Sequence, residues 1–310
     1  MATDTSPRVA IGPVPDALLD SAVLRGGGLI SPIDTADALI WAGSPETFPS
    51  ELPASVRWVQ LPSAGIEDWF DSGVIPRDTE ITWTSAAGAF SASVAEHALM
   101  LLLAGVRHLP AHIEARTWRQ FEFFPKIGTL RGSTVAIIGA GGIGRALIPM
   151  LAAQGADSIA VNRSGSPVPG AISTYPASRM DEIYSRADHF VIAAPATPAT
   201  RHLVGRAQLA AMQPHSWVIN VARGSLVDTD ALVEAIESEQ IGGAGLDVTD
   251  PEPLPDGHPL WDLTNAIITP HDSNPPGVRP AAFADHVSKN VTRFAKGEAL
   301  AALVDPVAGY

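Results

Sequence analysis

The stretch Val135-Ala136-Ile137-Ile138-Gly139-Ala140-Gly141-Gly142-Ile143-Gly144-Arg145-Ala146-Leu147-Ile148 decides the fold. Its β-branched start reads as a buried strand, its glycines as a tight turn, and its apolar continuation as a helix. In the order Gly139-x-Gly141-x-x-Gly144 each glycine has its own task. The first permits the turn, the second lets backbone approach a pyrophosphate, and the third lets the helix pack closely on the sheet. Amides at the helix N-terminus, around Gly142 and Ile143, then meet the anion. The strand before and the helix after supply the context that a bare glycine pattern lacks, so a dinucleotide site is expected.

About 20 residues further on, at the end of the next strand, an acidic side chain would bind the ribose 2′-hydroxyl of NAD. Here the chain reads Val161-Asn162-Arg163-Ser164. The carboxylate is absent, while Arg163 and Ser164 offer charge and a hydrogen bond to a 2′-phosphate. NADP(H) is therefore expected in preference to NAD(H).

Outward from this unit, strands are expected at 135–138, 158–161, 189–193, 217–220, 243–247 and 266–269, alternating with helices as in a doubly wound sheet. The first hundred residues repeat the alternation, with strands at 8–11, 38–41, 57–61 and 80–83, and predict a second parallel α/β sheet. Ser93-Val94-Ala95-Glu96 has the spelling of a capping box before the apolar run to Val106, so a long helix is expected to begin there. The boundary between the halves is placed near Leu109. The amphipathic stretch from Ala281 to Phe294 follows the last strand and would cross back onto the first domain, making that domain discontinuous.

Composition narrows the class. The chain has 310 residues, 46% hydrophobic and 17% charged, which is long and apolar enough for two domains and does not favour disorder. A formal charge of −13 would repel nucleic acid and anionic membranes, so a small anionic substrate needs a local basic site. Zero cysteines remove disulfides, thiolate metal sites and a cysteine nucleophile together. The polar start, Met1 to Pro7, lacks a signal-peptide core, and the apolar run from Ala98 to Val106 falls short of the roughly 20 residues a membrane span needs. A cytoplasmic protein is expected.

Three short segments in the last third carry chemistry: Asn220-Val221-Ala222-Arg223-Gly224, then Asp247 with Glu252-Pro253, then Thr269-Pro270-His271. Arg223 offers a planar fork for a carboxylate, His271 an imidazole that exchanges a proton near neutral pH, and Glu252 a carboxylate that favours the imidazolium. Asp247 ends a strand beside the expected cofactor crevice, where it would accept a hydrogen bond from the nicotinamide amide. Trp118, Phe121, Phe123 and Phe124 are read as lining a cleft or packing between domains.

With Val94-Ala95-Glu96-His97, the Gly139 to Gly144 loop and Pro195-Ala196-Thr197-Pro198-Ala199-Thr200-Arg201, these segments make a set that resembles the D-isomer-specific 2-hydroxyacid dehydrogenases over most of the chain. The resemblance implies a Rossmann-like, doubly wound coenzyme domain at 109–281 and a flavodoxin-like α/β substrate domain at 1–108 and 282–310. It implies an NADP-preferring oxidoreductase, similar to glyoxylate/hydroxypyruvate reductases, that interconverts a small 2-oxo acid and its D-2-hydroxy acid without a metal. Arg223, Glu252 and His271 are its catalytic residues. Pro195, Thr200, Val221, Ala222 and Asp247 join the glycine loop and Asn162, Arg163 and Ser164 around the cofactor. Ser63, Ala64 and Gly65, with Arg223 and His271, take the substrate. The following Ile66-Glu67 departs from the family, where many relatives carry aspartate. His97 is read as an interior helix residue. A homodimer built through the region from Ser93 to Val106 is implied. Two alternatives remain: a dehydrogenase of another small anion such as formate, whose enzymes pair the histidine with glutamine, and a nucleotide-sensing protein like the corepressors that share the fold.

Overall fold

The run beginning at Val135 forms a central strand of a parallel sheet, and the elements around it follow from that. The computed structural model describes residues 6–307 and 309, so the start of the polar N-terminal stretch, Met1 to Thr5, lies outside the described residues. The chain divides into two units, Met1–Phe90 with Pro275–Tyr310, and Ser91–Asn274. The first runs β1 (Arg8–Gly12), α1 (Ala17–Arg25), β2 (Leu29–Ile30), β3 (Ala38–Trp41), β4 (Trp58–Gln60), α2 (Glu67–Asp71) and β5 (Thr82–Thr84). All pairings are parallel, in the flavodoxin-like order β2-β1-β3-β4-β5. Every position of β3 and β4 is buried, as a parallel sheet covered on both faces requires. Helix α1 starts where the Asp16 carboxylate accepts the amides of Leu18 and Leu19.

The second unit runs α3 (Ser91–Val106), α4 (Leu109–Ala115), α5 (Gln120–Phe123), β6 (Thr134–Ile138), α6 (Gly142–Ala153), β7 (Asp157–Asn162), β8 (Ser173–Pro176), β9 (His189–Ile192), α7 (Arg206–Ala210), β10 (Trp217–Asn220), α8 (Thr229–Glu237), β11 (Gly243–Leu246) and β12 (Ala266–Ile268). Its seven-stranded parallel sheet has the order β12-β11-β10-β9-β6-β7-β8, a doubly wound arrangement with its reversal between β6 and β9. The chain then returns to the first unit through α9 (Arg279–Lys296), whose Phe283, Ala284, Val287 and Val291 join the core containing Val9, Val23 and Trp58. A buried polar network locks it there. Asn290 Nδ2 donates to Gln60 Oε1 at 2.9 Å, which also accepts the Thr84 hydroxyl, and Trp58 Nε1 donates to that hydroxyl at 2.8 Å.

Several expectations shift. Helix α3 belongs to the second unit, so the division falls before it and not near Leu109. The helix lies close on the sheet because small residues face it: a Cβ at Gly105 would come 2.3 Å from the Trp217 ring, and one at Gly245 3.0 Å from Leu101. It also begins at Ser91, two residues before the spelled capping box, and the Ser93 hydroxyl contacts Asn274 Oδ1 at 3.2 Å instead. Two strands escaped the sequence reading. Strand β2 has only two residues, both exposed, and β8 is a half-buried edge strand ending in proline. Trp118 and Phe121 are 87% and 86% exposed, so neither packs in the chain's interior, whereas Phe123 is buried against His112. No helix among the described residues is long and apolar enough to cross a membrane.

Where β9 starts, the buried His189 accepts the Trp217 amide through Nδ1 at 3.2 Å. Burial pushes its pKa down to about 4; the neighbouring Asp188 carboxylate opposes the shift and His215 adds to it. The unfolded histidine takes its proton near pH ~6.5, the folded one only near 4, so this contribution to stability is complete above pH ~6.5 and is lost as pH falls towards 4. Urea unfolding of the parent chain should lose about 2 kcal/mol more between pH 7 and 5 than that of His189→Asn, which keeps an acceptor but does not titrate. Equal losses in the two proteins would exclude His189 as the source.

Candidate active site

Register gathers the predicted residues. Val161, Ile138, Ile192, Asn220, Leu246 and Ile268 are in line across β7, β6, β9, β10, β11 and β12. The chain therefore leaves the sheet along one edge, through Asn162, Gly139, Ala193, Val221, Asp247 and Thr269. This is the carboxyl edge, where open α/β sheets place their ligands.

At the glycine turn the three tasks separate. Gly139 has φ +93°, and a Cβ there would lie 2.4 Å from the Ala194 amide nitrogen. A Cβ at Gly144 would come 2.9 Å from Ile137, so this glycine sets the approach of α6 to β6. Around Gly141 nothing lies within 4 Å of a built Cβ, and no side chain caps α6. Open space beside uncapped first-turn amides fits a pyrophosphate. At the end of β7, Asn162 is committed to its own turn: Oδ1 accepts the amides of Ser164 and Gly165, and Nδ2 donates to the Ser166 carbonyl. It shapes the loop, leaving Arg163 and Ser164 exposed upon it. The Pro195 to Thr200 loop is closed by Thr200, whose hydroxyl donates to the Pro195 carbonyl at 2.8 Å and accepts the Thr197 amide.

Beyond β10 a fully buried Asn220 sets the next loop. Its Nδ2 donates to the Arg223 carbonyl at 2.8 Å and its Oδ1 accepts the Ala222 amide at 3.1 Å, while the Arg223 guanidinium donates to the Ala222 carbonyl. Gly224 lies so near the next loop that a Cβ would be 1.8 Å from the Thr249 carbonyl oxygen.

That next loop carries Glu252. Its Oε1 lies 2.7 Å from His271 Nδ1, with Glu252 40% and His271 48% exposed. An ionised carboxylate only accepts, so Nδ1 carries the hydrogen and Nε2 is the nitrogen left for exchange. His271 stands in the left-handed region, φ +54°, unusual for a non-glycine residue. Asp247 holds it so: the Asp247 carbonyl accepts the His271 amide at 2.8 Å, and the carboxylate accepts the amides of Asp272 at 3.0 Å and Ser273 at 3.2 Å. Asp247, 1% exposed, is thus engaged by its own chain to a degree that the sequence reading as a cofactor acceptor missed.

Thr269 and His97 join this cluster. Thr269 Oγ1 donates to Asp247 Oδ1 at 2.7 Å, and His97 Nε2 lies 2.9 Å from Thr269 Oγ1. Ligand atoms of His97, Asp247 and Asp272 fall within 4.8 Å of one another, but Asp247 Oδ1 already carries hydrogen-bond donors. In the first unit, Ser63, Ala64 and Gly65 follow β4. The Ser63 hydroxyl donates to the Gly65 carbonyl at 2.6 Å and its carbonyl accepts the Ala86 amide.

Residues 98–273 match the family model described as D-isomer specific 2-hydroxyacid dehydrogenase, NAD binding domain. A Corynebacterium melassecola protein, "Uncharacterized protein in proB 3'region", is 39% identical over 94% of this chain and 96% of its own length. The chain is also 32% identical to the D-3-phosphoglycerate dehydrogenase of Mycobacterium bovis, covering 84% of itself but spanning only 47% of that relative. Two solved structures align over 98% of this chain and all of theirs. One is a D-isomer specific 2-hydroxyacid dehydrogenase from Xanthobacter autotrophicus Py2 in complex with NADPH and MES, at TM-score 0.80 and 26% identity. The other is an NADPH-dependent glyoxylate/hydroxypyruvate reductase from Sinorhizobium meliloti in complex with NADP and sulfate, at TM-score 0.76 and 27% identity. With the family's glycine turn, arginine loop and Glu-His pair on one sheet edge, the chain belongs to the D-isomer specific 2-hydroxyacid dehydrogenases.

Proposed function

We propose that this dehydrogenase reduces a small 2-oxo acid to the D-2-hydroxy acid, reversibly and with NADP(H) in preference to NAD(H). The observation that carries the reading is the 2.7 Å contact between Glu252 and His271 on the sheet edge that also bears Arg223 and the glycine turn. The open space at Gly141 and the uncapped start of α6 fit the pyrophosphate of a dinucleotide. A reduced dinucleotide held there would supply hydride, from its nicotinamide, to the carbonyl carbon of the substrate.

The chain's own residues do the rest. The Arg223 fork binds the substrate carboxylate and orients the carbonyl. As negative charge grows on the carbonyl oxygen, His271 gives it the proton from Nε2, and Glu252 offsets the charge of the imidazolium. For oxidation the same nitrogen takes the proton back. In the first unit, the loop of Ser63, Ala64 and Gly65 after β4 is assigned to substrate binding by its likeness to the family's carboxylate-holding loop. Arg163 and Ser164, exposed on the turn that Asn162 shapes, receive the 2′-phosphate.

Following NADPH absorbance with glyoxylate, hydroxypyruvate, pyruvate and phenylpyruvate tests the activity. Turnover of at least one is expected; cofactor binding with no turnover on any would instead favour a sensing role. His271→Ala should lower kcat by roughly 100-fold or more, Arg223→Ala should damage both kcat and KM, and Glu252→Gln should lower kcat by roughly 10-fold or more with KM less affected. Near-normal rates in the first two would overturn the mechanism. kcat/KM should favour NADPH over NADH, and Arg163→Ala should erode that ratio; a clear NADH preference in the parent would refute it.

We also propose a homodimer. Most of α3 is spent on the chain's own core, and the apolar surface lies alongside and beyond it, at Met100, Leu109, Ile113, Trp118, Phe121 and Phe124. A second copy of the chain is the fitting cover for such a surface. Light scattering should give about twice 32.4 kDa, and the pair Trp118→Ala and Phe121→Ala should reduce it towards one chain. A single-chain mass for the parent would refute the dimer.

A further inference from the structure

We infer that His97 and Thr269 are positioning residues, a relay from helix α3 that sets the backbone of His271. The direction of each hydrogen follows from the chemistry of the groups. Asp247 Oδ1 is a carboxylate oxygen and only accepts, so the single hydroxyl hydrogen of Thr269 is spent on it at 2.7 Å. Towards His97 the hydroxyl therefore acts as acceptor, and the hydrogen between them, across 2.9 Å, belongs to His97 Nε2. The same nitrogen lies 3.4 Å from Asp247 Oδ1. One polarised chain results, from imidazole N–H to hydroxyl to carboxylate, and the carboxylate ends it by gripping the amides of Asp272 and Ser273.

The relay matters because the segment it holds is under constraint. His271 occupies a left-handed conformation with φ +54°, and such a residue stays there only when its surroundings over-determine it. Three main-chain amides in succession, at 271, 272 and 273, are fastened to Asp247. Asp247 is buried, and a buried carboxylate keeps its orientation only while its donors are in place. Thr269 leads into the segment, and His97 ties it to the rigid helix that packs over β10 and β11 through Gly105, Leu101 and Gly245. Removing either donor loosens the anchor without touching the imidazole of His271 or its contact with Glu252.

The inference rests on the proposed proton transfer by His271, and the test separates the two. In the full-length chain, Thr269→Val, which keeps the shape and loses the hydroxyl, should lower kcat for 2-oxo acid reduction by roughly 10- to 100-fold with KM for NADPH nearly unchanged. His97→Leu should do the same. Thr269→Ser and His97→Gln, whose amide nitrogen reaches the place of Nε2, should recover most of the rate. Amide hydrogen exchange at 271–273 should accelerate by about tenfold or more in the Val and Leu variants while β9 and β10 stay protected. If those variants lose core protection as well, His97→Asn decides. Its amide stops at the place of Nδ1, so it should show the slow rate and fast exchange that His97→Gln corrects. Absence of turnover in the unmodified chain would end the proposed function and leave exchange to judge the relay. Unchanged exchange at 271–273, or a loss of rate that Ser and Gln do not recover, would overturn it.

Discussion

Parallel register across the seven-stranded sheet is the constraint on which the rest depends. Because β7, β6, β9, β10, β11 and β12 end on one line, six loops that are distant in sequence open along the same edge. Loops can then present their residues by local means, such as the glycine at Gly139 and the asparagine at Asn220. Register in turn rests on continuous burial, since β9, β10 and β11 are buried at every position. A slip of one residue would exchange the two faces of a strand and displace its loop from the line.

Buried polar side chains act in both units as the devices that fasten irregular segments to regular ones. In the first unit Gln60, Thr84 and Asn290 join the sheet to a helix that arrives more than two hundred residues later, the Asn290 to Gln60 bond spanning 230 positions. In the second, Asn220 and Asp247 each stand at a strand end; Asn220 accepts a main-chain amide of the loop that follows it, and Asp247 accepts those of Asp272 and Ser273 in the loop after β12. Their partners are supplied in full. A buried amide or carboxylate left half satisfied would cost more than an apolar replacement, so such groups define one geometry or none.

Much of this was legible in the sequence where the signal is local. The glycine spacing, the segment around Arg223 and the segment around His271 are each contiguous, and their order along the chain predicts the edge on which they meet. Reading failed where the determining partner is remote. His97 looks like an interior helix residue because nothing near it in sequence hints at Thr269, 172 positions away. Asp247 looked like a ligand acceptor because its amide donors come from a loop 25 positions on. Strand β8 failed for another reason: edge strands carry weak hydrophobic patterning because only part of each residue is buried.

The approach of Gly224 to Thr249 has an evolutionary consequence. Backbone meets backbone there with no room for a methyl group, so the loop bearing Arg223 and the loop bearing Glu252 form one mechanical piece, and His271 is joined to it through Glu252. A substitution that shifts one of the three is transmitted to the others. Divergence towards new substrates therefore has little freedom within this piece.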